Sequence, residues 1–436
     1  MTSDQTTASI TTNERTAVTV STLFRFLIGD RQAIEALALS RSALWVGMLF
    51  VLSAGLAREY DGAYFLGEPW HLLIPLGASL VASFILYVIA DLFIRRDRAG
   101  EPREVRRFRA FLTLFWLTAP MAWLYGIPFE RFMAPYDATV ANYATLALVS
   151  VWRVLLITRV VSVLFNFNVI RAFFMVMLFA DAVAVVGAFV SPAPIFSFMG
   201  GVRHLDHDRL ILNVTHNVII LGIMSSPVWL IGAVVAAFGK GNWKLDLATD
   251  SSRPVSKLLV SFAFVSILAW VPAFPVTQAE QGLKWHVETL FDDGQIDDAL
   301  HLLSVHELRE FPPHYMPRPR NWPGARMPRL YEIMKVVLER EERDWVHAYY
   351  MKRFGDEFGE GYHWHSQWQI SEIVEVLEHM PESAMIARKM QEQITERMSY
   401  ERDRTTKEYQ SMRRILEIAG VDVEERERKW DKSNEQ

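Results

Sequence analysis

The sequence predicts an all-α protein: a polytopic seven-helix transmembrane bundle followed by an all-helical soluble domain. Three observations predict it. Seven apolar stretches occupy roughly residues 34–276. The arginines and lysines between them alternate sharply in abundance. The remaining 160 residues are rich in charge and carry apolar residues at helical spacing.

A helix needs about 20 mostly apolar residues to cross a bilayer core. Spans are expected at about 42–57, 71–94, 110–128, 140–158, 172–190, 210–238 and 258–276. The first is short, and a helix starting near Ile34 would lengthen it. The second, HLLIPLGASLVASFILYVIADLFI, is apolar all round, as no helix bathed in water would be. The sixth holds 29 residues and Pro227. That is too few for two passes and a turn, so it reads as one kinked or tilted span.

The N-terminus and the second, fourth and sixth connections hold 18 lysines and arginines, against four in the other three connections. Short basic segments stay cytoplasmic. The expectation is a cytoplasmic N-terminus and, after seven spans, an exported C-terminal domain. Residues 1–22 are polar and threonine-rich, lack the apolar core of a signal peptide and are expected to be disordered. Residues 23–41 have the pattern of an amphipathic helix on the cytoplasmic surface. A plain extension of the first span fits the same residues.

The exported domain is expected over 277–419, with a charged tail at 420–436. Leu283, Val287, Leu290 and Phe291 share a helix face, Gly294 ends that helix, and Ile296, Leu300 and Leu303 begin the next. This pair looks like one helical hairpin of a repeat array, but no second copy follows at a fixed period, so a repeat protein is not expected. Residues 311–328 hold six prolines, which withhold donors and force extended backbone. Tyr315, Arg318, Arg320 and Trp322 make this loop a candidate binding loop; a strap packed on the helices is the plainer reading. Helices resume at about 329–355, 369–380, 382–398 and 401–419.

The two halves differ in charge. Residues 1–276 carry 22 basic and 18 acidic groups, residues 277–436 carry 23 and 32. An acidic C-terminal domain argues against nucleic acid as a partner. The absence of cysteine excludes disulfides, thiolate metal sites and cysteine nucleophiles.

Ionisable groups at span depth are costly and mark candidate sites. Asp181 lies nine residues into the fifth span, about 14 Å deep. Arg153 lies in the fourth, which runs antiparallel to the fifth, so an Arg153–Asp181 pair is expected. Asn213, His216 and Asn217 enter with the sixth span and would join the network if spans five and six pack together. Small-residue stripes at Ala180, Ala184 and Ala188, and at Ala78, Ser79, Ala82 and Ser83, would allow close approach. These polar groups read either as interhelical glue or as an ion path. His204, Asp206, His207 and Asp208 resemble a zinc or manganese ligand set, but Arg203 and Arg209 already neutralise the aspartates. His363 and His365 form a weaker cluster of the same kind. No cofactor-binding motif is present, and no cofactor is expected.

Three stretches, Ala57–Gly62, Glu68–Leu76 and Phe311–His314, resemble an uncharacterised family of bacterial multispan membrane proteins. The resemblance covers most of the chain. It implies a bacterial inner membrane and no particular chemistry. Read physically, the first two stretches form the first exported loop. Tyr60 and Trp70 would sit in an interfacial aromatic belt, and carboxylates such as Glu59 would face the basic loop at Arg318.

The expected role is a membrane-anchored binding or scaffolding module, with the lipid bilayer and an envelope protein as partners. A transporter using Arg153, Asp181 and His216 comes second, and a metal-dependent membrane enzyme third.

Overall fold

The computed structural model describes residues 17–92, 103–190, 206–238, 243, 253–317, 328–340, 344–359, 370–401 and 403–434. Among these residues helices dominate and no strand forms; an isolated parallel bridge pairs Val18 with Val255. The chain divides into two units, Met1–Val190 with His216–Gln278, and Ser191–Thr215 with Ala279–Gln436.

The first unit begins with two short helices where one amphipathic helix was expected over 23–41. Thr19 and Thr22 form a capping box for α1 (Val20–Leu27). Asp30 caps α2 (Arg31–Ala38) by accepting from the Ala33 amide at 2.8 Å. Gly29 lies between them at φ +81°, a left-handed conformation that a Cβ would strain. Leu23, Phe26, Ile34 and Leu37 are buried in the core of this unit. A bend of 106° then separates α2 from α3 (Ala43–Glu59). The first apolar stretch is therefore not lengthened by a continuous helix from Ile34.

Among the described residues, six helical segments are long and apolar enough to cross a membrane: Pro69–Asp91, Val105–Arg131, Pro135–Leu164, Val169–Val190, Arg209–Ala236 and Lys257–Asp292. The bent pair α2 and α3 makes a seventh if it is counted as one span. Within these segments run α4 (Ile74–Asp91), α5 (Arg103–Trp116), α6 (Pro135–Leu164), α7 (Val169–Val190), α8 (Asp206–Ala237), α9 (Lys257–Leu268) and α10 (Phe274–Asp292). Helix α8 continues through Pro227 as one element, as its length required. Pro69–Asp91 opens with a 3₁₀ turn at Pro69–Leu72, and two further segments are interrupted inside their length. After α5 the chain tightens into 3₁₀ turns at Ala119–Gly126 and Phe129–Arg131, where Pro120 and Pro128 withhold donors. A 3₁₀ turn with Pro272 separates α9 from α10. Helix α10 then runs past residue 276, the expected end of the last span, to Asp292.

Helix α3 is the hub of this unit. It packs on α4, α5, α9 and the 119–126 turn. Its Phe50 meets Trp123 and Phe262 edge-on at 5.7 and 5.9 Å. Elsewhere large apolar side chains point outward, among them Leu221 at 66% and Met224 at 72% exposure on α8. Water would oppose such a surface, and hydrocarbon would not.

The second unit takes the end of α10 and then α11 (Ile296–Ser304), α12 (Leu330–Glu339), α13 (Trp345–Gly359), α14 (Ile370–His379), α15 (Ser383–Tyr400), α16 (Lys407–Ile418) and α17 (Val423–Asn434). Gly294 turns the α10–α11 hairpin at φ +76°. Helix α11 packs on α12 and α13, and α12 on α13 and α14. Helix α13 reaches α15, while α14 packs on α15 and α16. Most of these helices therefore pack on a neighbour or a next-but-one helix in the chain, although α13 and α14 are not among the packed pairs and the sequence shows no period. Ile333, Met334, Phe354, Ile373, Met390 and Ile415 fill one continuous core.

Candidate functional site

The polar residues of the spans are not brought together. On α7, Asp181 accepts a hydrogen bond from Ser225 Oγ of α8 at 3.2 Å. Gly222 of α8 sets this geometry. A Cβ there would lie 2.3 Å from Val185 Cγ2 and 3.2 Å from Asp181 Oδ1, so only glycine lets the helices close to this distance. On α6, Arg153 stacks its guanidinium over the Phe115 ring at 4.8 Å, and its enclosed Nε has no hydrogen-bond partner. The expected Arg153–Asp181 pair does not form: Arg153 meets Phe115 of α5, while Asp181 meets Ser225 of α8. Asn213, His216 and Asn217 are exposed on α8 and join neither group. Helices α7 and α8 do meet, but through Gly222 and Gly232 of α8 rather than the alanine stripe, in which Ala184 is exposed. In the other stripe, Ser79 accepts from the Trp116 indole at 3.0 Å.

A second polar assembly gathers at the C-terminal end of α3, where the interrupted segments converge. Ser53 accepts from the indoles of Trp123 and Trp270, at 3.1 and 3.4 Å, and donates to the Ser266 carbonyl at 2.7 Å. Tyr60 donates to the Gly126 carbonyl at 3.2 Å and packs on Trp270. Gln278 of α10 is buried. Its Oε1 accepts from the Phe65 amide at 2.8 Å, and its Nε2 donates to the carbonyls of Tyr60 and Ala63 at 3.2 and 3.0 Å. One side chain thus clamps the 60–68 loop. Because Tyr60 is buried inward, it does not serve in an aromatic belt; Trp70, beside His71, is 53% exposed.

This clamped loop holds Asp61. Burial first, and then the charges of Glu130 and Glu59, push its carboxyl up to about 6, with Arg131 opposing. Burial and the charge of Asp61 push the Tyr60 phenol up to about 12. Glu130 accepts from the side-chain amide of Asn142. A carboxyl raised to about 6 beside other carboxylates is the kind of perturbed group that marks functional sites. Asp61 and Glu130 were visible as charges in the sequence, but nothing in their spacing links them. The signal for Gln278 was an amide immediately beyond an apolar stretch.

Tyr315 stacks on Phe311 at 4.8 Å, and the Pro317 carbonyl accepts from Tyr350 and Arg353 at 3.4 and 3.1 Å. The start of the proline-rich segment is thus strapped to α13. Arg318, Arg320 and Trp322 lie outside the described residues, as do His204, His363 and His365. Asp206, His207 and Asp208 open α8, but their side chains lie outside the described set. Among the described residues no group of three or more histidines and carboxylates is placed to hold a metal. Against family models, curated proteins and solved structures, the chain has no match.

Proposed function

We propose that this chain is a membrane-anchored scaffold: a multi-pass bundle of seven spans that carries a helical domain for binding a partner protein. The observation that carries the reading is the stacking order of α11–α16. Solenoid stacks present extended surfaces and serve mainly to bind other proteins. The domain also has its own core, so its fold does not depend on lining a conduit. The alternation of basic residues supports a cytoplasmic N-terminus and an extracytoplasmic helical domain. In the bacterial inner-membrane setting, the partner is then an envelope protein.

Photo-crosslinkers at Met385 and Tyr400, which are 52% and 76% exposed, test the scaffold in living cells. The reading expects one protein adduct, shared by neighbouring positions and lost in Met385→Arg. A helical domain that crosslinks only lipid or nothing at all would sink it. Reporters after Gly100 and Asn434 test the topology; an internal C-terminus would move the partner search to the cytosol. A transporter remains the second reading on one observation, the interruptions within Val105–Arg131 and Lys257–Asp292, since broken helices often line substrate sites.

A further inference from the structure

We propose that Arg153 anchors an oxyanion-binding site in the membrane unit, at the place where the third candidate span unwinds beside α6. The ligand presents a carboxylate- or phosphate-type group. The inference rests on the membrane reading above but not on the scaffold role.

Three observations carry it. The first is position. Arg153 lies well inside the 30-residue helix α6, about 16 Å from its C-terminal end and about 27 Å from its N-terminal end at 1.5 Å per residue. An arginine facing lipid snorkels toward the surface. This one lies instead against Phe115 of α5. The second is charge. Among the described residues no carboxylate pairs with Arg153, Nε has no partner, and Asp181 is held by Ser225. An unpaired cation at span depth is costly, and intramembrane charges characteristically have partners or face a cavity. The third is backbone. Helix α5 ends at Trp116, one residue after Phe115, and residues 119–126 are 3₁₀. Non-helical backbone at membrane depth is tolerated where it is buried in protein or lines a cavity.

The chemistry follows from the ring contact. A π-face contact with Phe115 takes up none of the guanidinium's N–H donors. A guanidinium can present two parallel N–H groups, which match the oxygens of one carboxylate or phosphate. Tyr125 belongs to the unwound 119–126 segment, which packs on α6, and brings a phenol to the same helix pair. Two sources supply such an anion: the headgroup of an anionic lipid, or a small anion from solution.

The test uses the full-length chain in nanodiscs of an uncharged digalactosyl glycolipid, which presents no phosphate. One arm adds phosphatidylglycerol to the discs; the other adds inorganic phosphate or acetate to neutral discs. The readout is the thermal unfolding midpoint. We expect one arm to raise the wild-type midpoint, Arg153→Gln to abolish the rise, and Arg153→Lys to need about tenfold more ligand or greater. A response to phosphatidylglycerol alone identifies a headgroup; a response to phosphate or acetate in neutral discs identifies a free anion. A wild-type midpoint indifferent to every probe overturns the proposal, even if the glutamine variant fails to fold. Equal responses in wild type and Arg153→Gln overturn it too, and leave Arg153 as a packing partner of Phe115. A chain that never enters the discs overturns the membrane reading and the site with it, while the crosslinking test of the helical domain stands apart.

Discussion

The two units solve the packing problem in opposite ways. In the second, apolar side chains such as Ile373, Met390 and Ile415 are hidden, and charged residues form the surface. In the first, Leu221, Met224 and Val186 face outward while Ser53, Ser83 and Gln278 are buried. The difference teaches that the solvent decides what holds a helix bundle together. In water, burying apolar area drives assembly. In hydrocarbon the outside is as apolar as the inside, so small-residue approach and interhelical hydrogen bonds select the neighbours. Gly222 against Asp181 and Ser53 between two indoles are contacts of that second kind.

The sharpest way to break this comparison is a matched truncation. Phe291→Ala removes a fully buried ring from the core of the helical unit. It should cost about 3–5 kcal/mol, seen as hydrogen exchange accelerating across α11–α16. Leu221→Ala, on the exposed face of α8, should change stability by no more than about 0.5 kcal/mol. Equal losses would contradict the contrast. Next in size is Gln278→Ala, which strands the Phe65 amide and two carbonyls. At about 1–3 kcal/mol for a stranded group, it should free the 60–68 loop, and unchanged exchange at Phe65 would show that the clamp is dispensable.

A pH experiment sharpens the comparison at one residue. The Asp61 carboxyl is raised from 3.8 to about 6 in the folded chain. Between these values the native state holds the proton more often than the unfolded state, so stability falls as pH rises through that window. The contribution is full below about 4 and gone above about 6. Asp61→Asn should therefore flatten the midpoint between pH 4 and 6 and raise it at pH 7.5; an unaltered slope would clear Asp61 of the effect. The smallest change is expected at Arg414, which pairs with Glu378 and Glu417 at 2.8 and 3.1 Å on an exposed surface. Arg414→Ala should leave the midpoint nearly unmoved and erase only a slight salt dependence, as exposed pairs do. A large loss there would mean that surface charge matters more to the stack than its core.

Much of the fold was legible because its signals are local. Among the described residues six of the seven apolar windows returned within membrane-length helical segments and the first only in a bent pair, Gly294 ended α10, and Pro227 stayed inside one helix. The break at Gly29 was also written locally, but a continuous amphipathic pattern masked it. The polar site was not legible. Arg153 and Asp181 were identified individually from their depth in the spans, yet their partners depended on rotations of α6, α7 and α8 that spacing along one chain cannot fix. The packing order of α11–α16 was hidden for a related reason, since which helices touch is not written in the spacing of either.

By itself, then, the sequence determined which segments are apolar enough to enter a bilayer, which are charged enough to stay out, and where proline and glycine stop a helix. Those outcomes follow from side-chain transfer energies and backbone sterics, which act over a few residues. Only the tertiary structure decided that Asp181 turns to Ser225, that Arg153 is left against Phe115, and that Gln278 clamps a loop more than 200 positions away in the chain. Each of those outcomes depends on how closely two helices approach, and that distance is set by all their contacts at once.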